Sequence, residues 1–186
     1  MRYRIFAVAL AAMLMLTGCG KSGTASSTTA ATNTSSVADI NENESFLREL
    51  YINDLNNKYN QLLIDQDAFF AANNNASYAV AAQDLDTDAF FAAAEKCIST
   101  FEAIIAIEPP ETLASYHEQL IEGAQYEIKF FNGAIQAAKY ELGELDMSAQ
   151  EVEELQAFFT EYSEAETNLF VDAYSAVMEA SAGIVQ

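Results

Sequence analysis

The two prolines of this chain are adjacent, Pro109 and Pro110, and no other proline occurs in its 186 residues. Because proline interrupts helices, its absence elsewhere leaves long segments on both sides free to be helical. Apolar residues recur along those segments at steps of three and four, the period of one face of an α-helix. β-branched runs, which would favour strands, are scarce. We therefore predict an all-α fold.

Turn-forming residues divide the helical part into four predicted arms. They run from about Asn41 to Ala72, from Ala76 to Ile107, from Pro110 to Leu142 and from Ser148 to Ala182, with Asn73–Asn75 as the first break and a kink or loop near Asp84–Asp86. At 1.5 Å per residue the four arms are all roughly 50 Å long. Matched lengths and short turns predict an antiparallel up-down-up-down four-helix bundle over residues 39–186.

Local signals mark the ends of these arms. Asn41 with Glu44 resembles a capping pair, Pro110 suits a first helical turn, Gly143 suits a C-cap, and Ser148 with Glu151 forms a capping box. The three- and four-residue steps also define an inward stripe on each arm. The predicted inward residues are Ile52, Leu55, Tyr59, Leu62, Phe69; Phe90, Ala94, Cys97, Phe101, Ile104; Leu113, His117, Leu120, Ala124, Phe131, Ile135, Ala138, Leu142; and Val152, Leu155, Phe159, Tyr162, Leu169, Ala173, Ala176.

The N-terminus has the three regions of a signal peptide. Arg2 and Arg4 are followed by an apolar run from Ile5 to Leu16, which is shorter than the roughly 20 residues that a membrane-spanning helix needs. The run ends in Leu16-Thr17-Gly18-Cys19, and residues 1–18 with this cysteine resemble a bacterial lipoprotein signal peptide with its lipobox. The resemblance implies that Cys19 is acylated and becomes the new N-terminus. We therefore expect a lipid-anchored protein on the extracytoplasmic face of the cell membrane, since two acyl chains give a lasting anchor.

A polar segment separates Cys19 from the predicted bundle. Ten of the 18 residues from Lys21 to Ala38 are Ser or Thr. With so little apolar surface, residues 19–38 are predicted to be a disordered tether with a typical span of roughly 20–25 Å.

The charge of the chain limits its partners. Arg2 and Arg4 precede Cys19, so six basic residues remain against 28 acidic ones after cleavage, a net charge of −22. Such a chain repels phosphate backbones, and we predict no nucleic-acid binding. The remaining Cys97 has no partner for an internal disulfide once Cys19 is acylated.

Each arm carries one phenylalanine doublet. These are Phe69-Phe70, Phe90-Phe91, Phe130-Phe131 and Phe158-Phe159. Counting from the predicted turns places the last three doublets in one layer, with Tyr59 or Leu62 of the first arm opposite. The layer is predicted to be ordinary core with one ring of each doublet inward; the alternative is a pocket for a lipid, quinone or haem-like ligand.

Metal-binding patterns are incomplete. His117 is the single histidine, with Phe101, Phe46 and Asp172 predicted at its level, and one His with Cys97 does not make a zinc site. Asp84, Asp86, Asp88 and Glu95 match four positions of an EF-hand loop, but Ala89 replaces the glycine that its turn requires. We predict neither a metal site nor a cofactor.

Catalytic constellations are missing from the sequence, so we expect no enzyme. Glu108-Pro109-Pro110 leading to His117 and Leu120 resembles a pattern in uncharacterised helical-bundle lipoproteins of Gram-positive bacteria, which implies the bundle but no activity. The sequence therefore favours a tethered binding or interaction module with an unknown protein or small-ligand partner. The alternative is a carrier that holds a small apolar ligand or a metal in the bundle interior.

Overall fold

The computed structural model describes residues 37–78, 87–165 and 167–183, and these ranges contain α-helices and no strand. The helices are α1 (Val37–Tyr78), α2 (Thr87–Ile105), α3 (Ala114–Leu142), α4 (Ala149–Glu164) and α5 (Leu169–Gly183), with a 3₁₀ turn at Glu111–Leu113 before α3. The all-α prediction is confirmed. None of these described helices is both long and apolar enough to span a membrane.

α1 is longer than the sequence predicts at both ends. It begins at Val37 and continues through Asn73–Asn75 to Tyr78, so the predicted break is wrong and Ala76 belongs to α1. Asn41 lies inside the helix, which contradicts the predicted capping pair with Glu44. Asparagine costs a helix less than 1 kcal/mol relative to alanine, too little to end one by itself. The predicted loop near Asp84–Asp86 and the tether up to residue 36 lie outside the described residues.

The predicted ends of the middle helices are mostly confirmed. Gly143 adopts a left-handed φ of 76° after α3. At the start of α4 the Glu151 N–H donates to Ser148 Oγ at 3.3 Å, and the Ser148 N–H donates to the Glu151 carboxylate at 2.7 Å. Pro110 differs from its prediction, because it precedes the 3₁₀ turn in extended conformation, φ −62° and ψ 153°, rather than lying in an α-helical turn.

The fourth predicted arm consists of two helices. α4 ends at Glu164 and α5 begins at Leu169, where a single helix was predicted. Asn168 explains the new start, since its Oδ1 accepts from the Val171 N–H at 3.0 Å, the hydrogen bond of an N-cap. The break turns Leu169 outward, where it is 54% exposed, and the prediction of Leu169 as an inward residue is wrong.

Aromatic rings fill the centre of the core. Phe69 of α1 packs against Phe90 and Phe131, with ring centroids 5.1 and 5.0 Å apart, and Phe101 packs against Phe170 at 4.9 Å. The layer therefore contains Phe69 rather than Tyr59 or Leu62, because α2 begins at Thr87 and not at Ala76, which moves Phe90 towards its first turn.

Most predicted inward residues are buried. The exceptions besides Leu169 are only partly buried, namely Ile52, Tyr59, Ile135, Leu142, Val152, Leu155, Tyr162 and Ala176. Both rings of the third and fourth doublets are buried, so the expectation of one inward ring per doublet holds only for the first two.

Candidate functional site

The residues of the incomplete calcium pattern are not brought together in the described part of the chain. Asp84 and Asp86 lie outside the described residues, and Asp88 and Glu95 are exposed on the regular helix α2. Among the described residues, no group of three or more His, Cys, Asp or Glu side chains could hold a metal ion. Cys19, the predicted acylation site, also lies outside these residues.

His117 pairs with a tyrosine that the sequence did not indicate. Its Nδ1 lies 2.9 Å from the Tyr51 hydroxyl, and both side chains are buried. Burial lowers the pKa of His117, and a smaller effect of the Ile105 backbone raises it. Phe46 and Asp172, which were predicted at the level of His117, have exposed side chains, and the hydrogen-bond partner of His117 is Tyr51. A neutral, enclosed imidazole bonded to Tyr51 joins α3 to α1 and is not presented to a substrate.

Cys97 is an unreactive thiol. It is fully buried and free of any disulfide. Burial raises its pKa to about 12, and the negative charges of Asp65 and Glu127 add to that rise. Since the thiolate is the nucleophile and the metal ligand, Cys97 remains protonated and serves as a small apolar core residue.

Asp65 is a buried carboxylate on the inner side of α1. Its Oδ2 accepts from the Thr100 hydroxyl at 2.7 Å, and its Oδ1 accepts from Gln61 Nε2 at 3.0 Å. The bond to Thr100 links α1 to α2. The signal was present in the sequence, because Asp65 follows Leu62 by three residues on the apolar stripe.

Glu127 is the most enclosed acidic residue of the described chain, 2% exposed on the inner side of α3. One carboxylate oxygen accepts from the Tyr162 hydroxyl at 2.8 Å and the other from Asn168 Nδ2 at 2.9 Å. Burial raises the pKa of Glu127 to about 7, although the two hydrogen bonds lower it. Because Asn168 also caps α5, Glu127 ties α3 to the break between α4 and α5.

A close backbone approach reinforces this junction. A Cβ atom on Gly123 would lie 2.6 Å from Phe170 Cα, a distance that real Cβ atoms do not show. Gly123 lies one helical turn before Glu127 on the same side of α3. We refer to Gly123, Glu127, Tyr162, Asn168 and Phe170 as the α3–α5 junction. Its polar atoms are satisfied internally, which indicates a structural role.

Two open grooves on the described part of the surface are not lined by the central rings Phe69, Phe90 and Phe131. A groove of about 420 Å³ beside the junction is lined by Tyr126, Glu161, Glu164, Ala165, Thr167 and Leu169. A second groove of about 510 Å³ lies between α3 and α4 and includes Lys129, which stands over the Phe158 ring at 4.2 Å. Both are open to solvent, so they differ from the enclosed apolar pocket that a carrier needs.

One exposed arc of α1, bordered by the charged residues Glu49, Asp54 and Asp67, carries no charged side chain. Ten exposed side chains fall within an arc of about 100° on the helical wheel between residues 43 and 71. They are Asn43, Phe46, Leu50, Asn53, Asn57, Asn60, Gln61, Ile64, Ala68 and Ala71. None is charged, although the chain has 28 acidic and 8 basic residues. The exposed side of α3, by contrast, carries Glu118, Glu122 and Lys129. We call these ten residues the uncharged face.

The uncharged face was not predicted, because the sequence reading followed inward stripes. In the sequence this face shows as a second set of residues at three- and four-residue steps, about half a helical turn away from the buried stripe. Its members are amides and apolar residues, whereas the exposed side of a helix in so acidic a chain is expected to carry charges. No family model matches the chain, and no curated protein or solved structure matches it. Its function is therefore inferred from its own residues and contacts.

Proposed function

We propose that this chain is a lipid-anchored, extracytoplasmic interaction module without catalytic activity. The uncharged face of α1 carries this proposal. Interface centres are depleted of charged residues, and this face has none within a strongly acidic chain. The reactive side chains of the core are not accessible to a substrate, because Cys97, His117 and Glu127 are each 3% exposed or less. The uncharged face is therefore accessible to a partner, whereas the reactive side chains of the interior are enclosed.

The anchor is inferred from Leu16-Thr17-Gly18-Cys19 after the short apolar run. α1 begins at Val37, 18 residues after Cys19, and the intervening Ser/Thr-rich segment fits a flexible tether. Acylation of Cys19 would hold the start of α1 within about 60 Å of the membrane.

Metabolic labelling with a fatty-acid analogue tests the anchor. The wild-type protein should incorporate the label and partition with membranes, whereas Cys19→Ser should carry no label. Cys97→Ser is the matched control, because it removes the other cysteine and should leave the label unchanged. Label on Cys19→Ser would contradict the anchor.

We also propose the finer topology, an antiparallel up-down-up-down four-helix bundle whose fourth arm is divided into α4 and α5. Two hydrogen bonds between arms support it. Tyr51, early in α1, meets His117, early in α3, as parallel first and third arms require. The Tyr174 hydroxyl of α5 donates to Asn56 Oδ1 near the middle of α1, a contact that is expected when the fourth arm lies beside the first. Spin-label distances between the helix ends test this order.

The packing of the aromatic core gives less support to a carrier role. The rings of Phe69, Phe101 and Phe131 are at most 1% exposed and pack against one another or their neighbours. A ligand at this level of the core would have to displace rings already in contact.

A further inference from the structure

Glu127 is enclosed beside a break in the chain. It is 2% exposed, and its two hydrogen-bond partners, Tyr162 and Asn168, are both uncharged. Among the described residues, no basic side chain forms an ion pair with it. A buried carboxylate without a cation is costly to ionise, because two neutral donors replace only part of the lost hydration. The closed junction therefore favours the protonated acid.

The hydrogen bonds of the junction also accommodate this protonated acid. Asn168 Nδ2 lies 2.9 Å from one carboxyl oxygen of Glu127 and can donate to it in either protonation state. The other carboxyl oxygen lies 2.8 Å from the Tyr162 hydroxyl, whose oxygen can accept as well as donate. Glu127 can therefore take up one proton without a rearrangement of the side chains.

The other titratable side chains beside Glu127 remain neutral at physiological pH. Burial raises the pKa of Cys97 on α2 to about 12, and the charges of neighbouring carboxylates add to that rise. Burial raises the pKa of Tyr162 on α4 and that of Tyr126, which precedes Glu127 on α3. The pKa of Glu127 itself is about 7, so Glu127 is the group of this cluster that titrates near neutral pH.

Charged side chains on the surrounding helices supply no cation to Glu127. Asp65 of α1 and Glu161 of α4 act on neighbours of Glu127, and both are acidic. On α5, Asp172 is acidic and exposed. Lys129, the basic residue closest to Glu127 along α3, stands over an aromatic ring of α4 instead. An ionised Glu127 would therefore add a further negative charge to acidic surroundings.

The junction lies where the chain can open without unfolding the rest of the core. α4 ends at Glu164 and α5 begins at Leu169, so the helix is interrupted between them. Asn168 holds the start of α5, because its side-chain oxygen accepts from the Val171 N–H and its backbone oxygen from the Asp172 N–H, each at 3.0 Å. Proteins open locally at such weakly held segments before they unfold as a whole.

Opening at this break would change a surface groove. The groove of about 420 Å³ has walls on both sides of the break, with Glu161 and Glu164 on α4 and Thr167 and Leu169 at the start of α5. The shape of the groove therefore depends on whether the start of α5 is closed on α3.

We propose that the α3–α5 junction is a pH-sensitive latch, in which protonated Glu127 keeps the start of α5 closed on α3 and loss of the proton favours opening at the break between α4 and α5. The open state exposes Glu127 to water, where it ionises near its ordinary pKa of 4.5, whereas the closed state keeps the proton up to about pH 7. Opening therefore becomes more frequent between these two pH values and changes little above them. The latch goes beyond the interaction role and depends on neither acylation nor the uncharged face.

Hydrogen exchange of the full chain in detergent, followed by NMR at single amides, tests the latch. The N–H groups of Val171 and Asp172 should exchange at least about tenfold faster than those around Phe101 in α2, because local opening exposes them without global unfolding. After correction for intrinsic exchange, their protection should fall roughly tenfold or more from about pH 5 to about pH 7.5.

Three variants separate the titration of Glu127 from a general weakening of the junction. Glu127→Gln should abolish the fall in protection, because glutamine does not ionise. Glu118→Gln, at an exposed position of the same helix, should leave the fall unchanged. Tyr162→Phe should extend the fall to higher pH, because the hydrogen bond from Tyr162 lowers the pKa of Glu127. A contact with only a structural role would change the protection without moving its pH range.

Three outcomes would overturn the proposal. Equal exchange at the start of α5 and in α2 would show that the junction opens only when the whole protein unfolds. The same pH dependence in the wild type and in Glu127→Gln would show that another group controls the opening. A fall that ends at the same pH in Tyr162→Phe as in the wild type would show that the Tyr162 contact does not set the protonation of Glu127.

Discussion

Glu127 places a carboxylate in the interior at the point where the fourth arm of the chain divides. Its oxygens accept from Tyr162 and Asn168, and Asn168 in turn caps α5. A buried carboxylate is costly unless it is hydrogen-bonded, and the two donors offset part of that cost. One side chain therefore links two helix positions 35 and 41 residues further along the chain.

The stability of the protein should depend on the titration of Glu127. Burial raises its pKa from the ordinary 4.5 to about 7, so between these pH values the native state keeps a proton that the unfolded chain has released. The contribution of Glu127 to stability is therefore greatest at or below about pH 4.5 and falls as pH rises to about 7. The loss amounts to about 3 kcal/mol.

Glu127→Gln should remove this dependence, because glutamine stays neutral and can bond both Tyr162 and Asn168. We expect the variant to be more stable than the wild type at pH 8 by about 1–3 kcal/mol, with little difference near pH 4.5. Urea unfolding at a series of pH values measures this. Glu118→Gln removes an exposed charge from the same helix and is the control. Parallel curves for wild type and Glu127→Gln would contradict the assignment.

The burial of single residues could be predicted from the sequence, but their partners could not. Cys97 and His117 were correctly placed inside, because each lies on an apolar stripe. The partners Tyr51 and Asn168 were not predicted, because side-chain pairing across helices depends on register. The register between two helices depends on where each helix begins and ends. The run Asn73–Asn75 wrongly predicted the end of α1 and the start of α2, so the pairing could not be predicted.

At the scale of helices, local chemistry determined most of the ends. The capping box at Ser148 and the C-cap at Gly143 were predictable, because each uses residues within one turn. The start of α5 was missed, although Thr167-Asn168 is a capping signal, because the apolar period continues across it. The cap at Asn168 determined the start of α5 despite the continuous apolar period, because Glu127 accepts a hydrogen bond from Asn168 and holds it in place.

Removing the α4 cap tests the first of these signals. Ser148→Ala should lower the free energy of unfolding by about 1 kcal/mol, because the Glu151 N–H loses its acceptor. Ser175→Ala, an exposed position within α5, should change it by less than about 0.5 kcal/mol. Equal effects in denaturant titrations would show that the capping box does not stabilise α4.

Two glycines of α3 give a matched test of helix packing. Gly123→Ala would bring a methyl group against the Phe170 backbone, which cannot move without α5, and should destabilise the protein by about 1–3 kcal/mol. Gly133→Ala meets only the side-chain ends of Leu155 and Phe159, at 3.0 and 3.2 Å, so it should cost less or be offset by the helix propensity of alanine. The order of the two unfolding midpoints is the measurement, and a reversed order would contradict the close approach of α3 and α5.

At the scale of the whole molecule, the hydrophobic period identified the all-helical class and most of the core. The outward surface could not be predicted in the same way, because the period of α1 indicates which side is buried and not what the opposite side binds. The uncharged face became evident only when exposure was combined with the charge of the chain.

The aromatic layer decides between a packed core and a carrier pocket. Phe131→Ala should destabilise the protein by about 3–5 kcal/mol, because it removes contacts with Phe69, Phe101 and Phe130. Phe91→Ala, at a half-buried position, should cost clearly less. The wild type should not bind a lipophilic dye. Saturable one-to-one dye binding, with an unchanged melting temperature in Phe131→Ala, would favour the carrier.

Native mass spectrometry of the protein extracted from its own membranes tests both halves of the proposed function, the acylated Cys19 and a core that holds no ligand. We expect a chain that begins at Cys19, carries covalent acyl groups and holds no small molecule in its core. A chain without acyl groups would contradict the lipid anchor, and one that retains a stoichiometric apolar ligand or metal ion would favour the carrier.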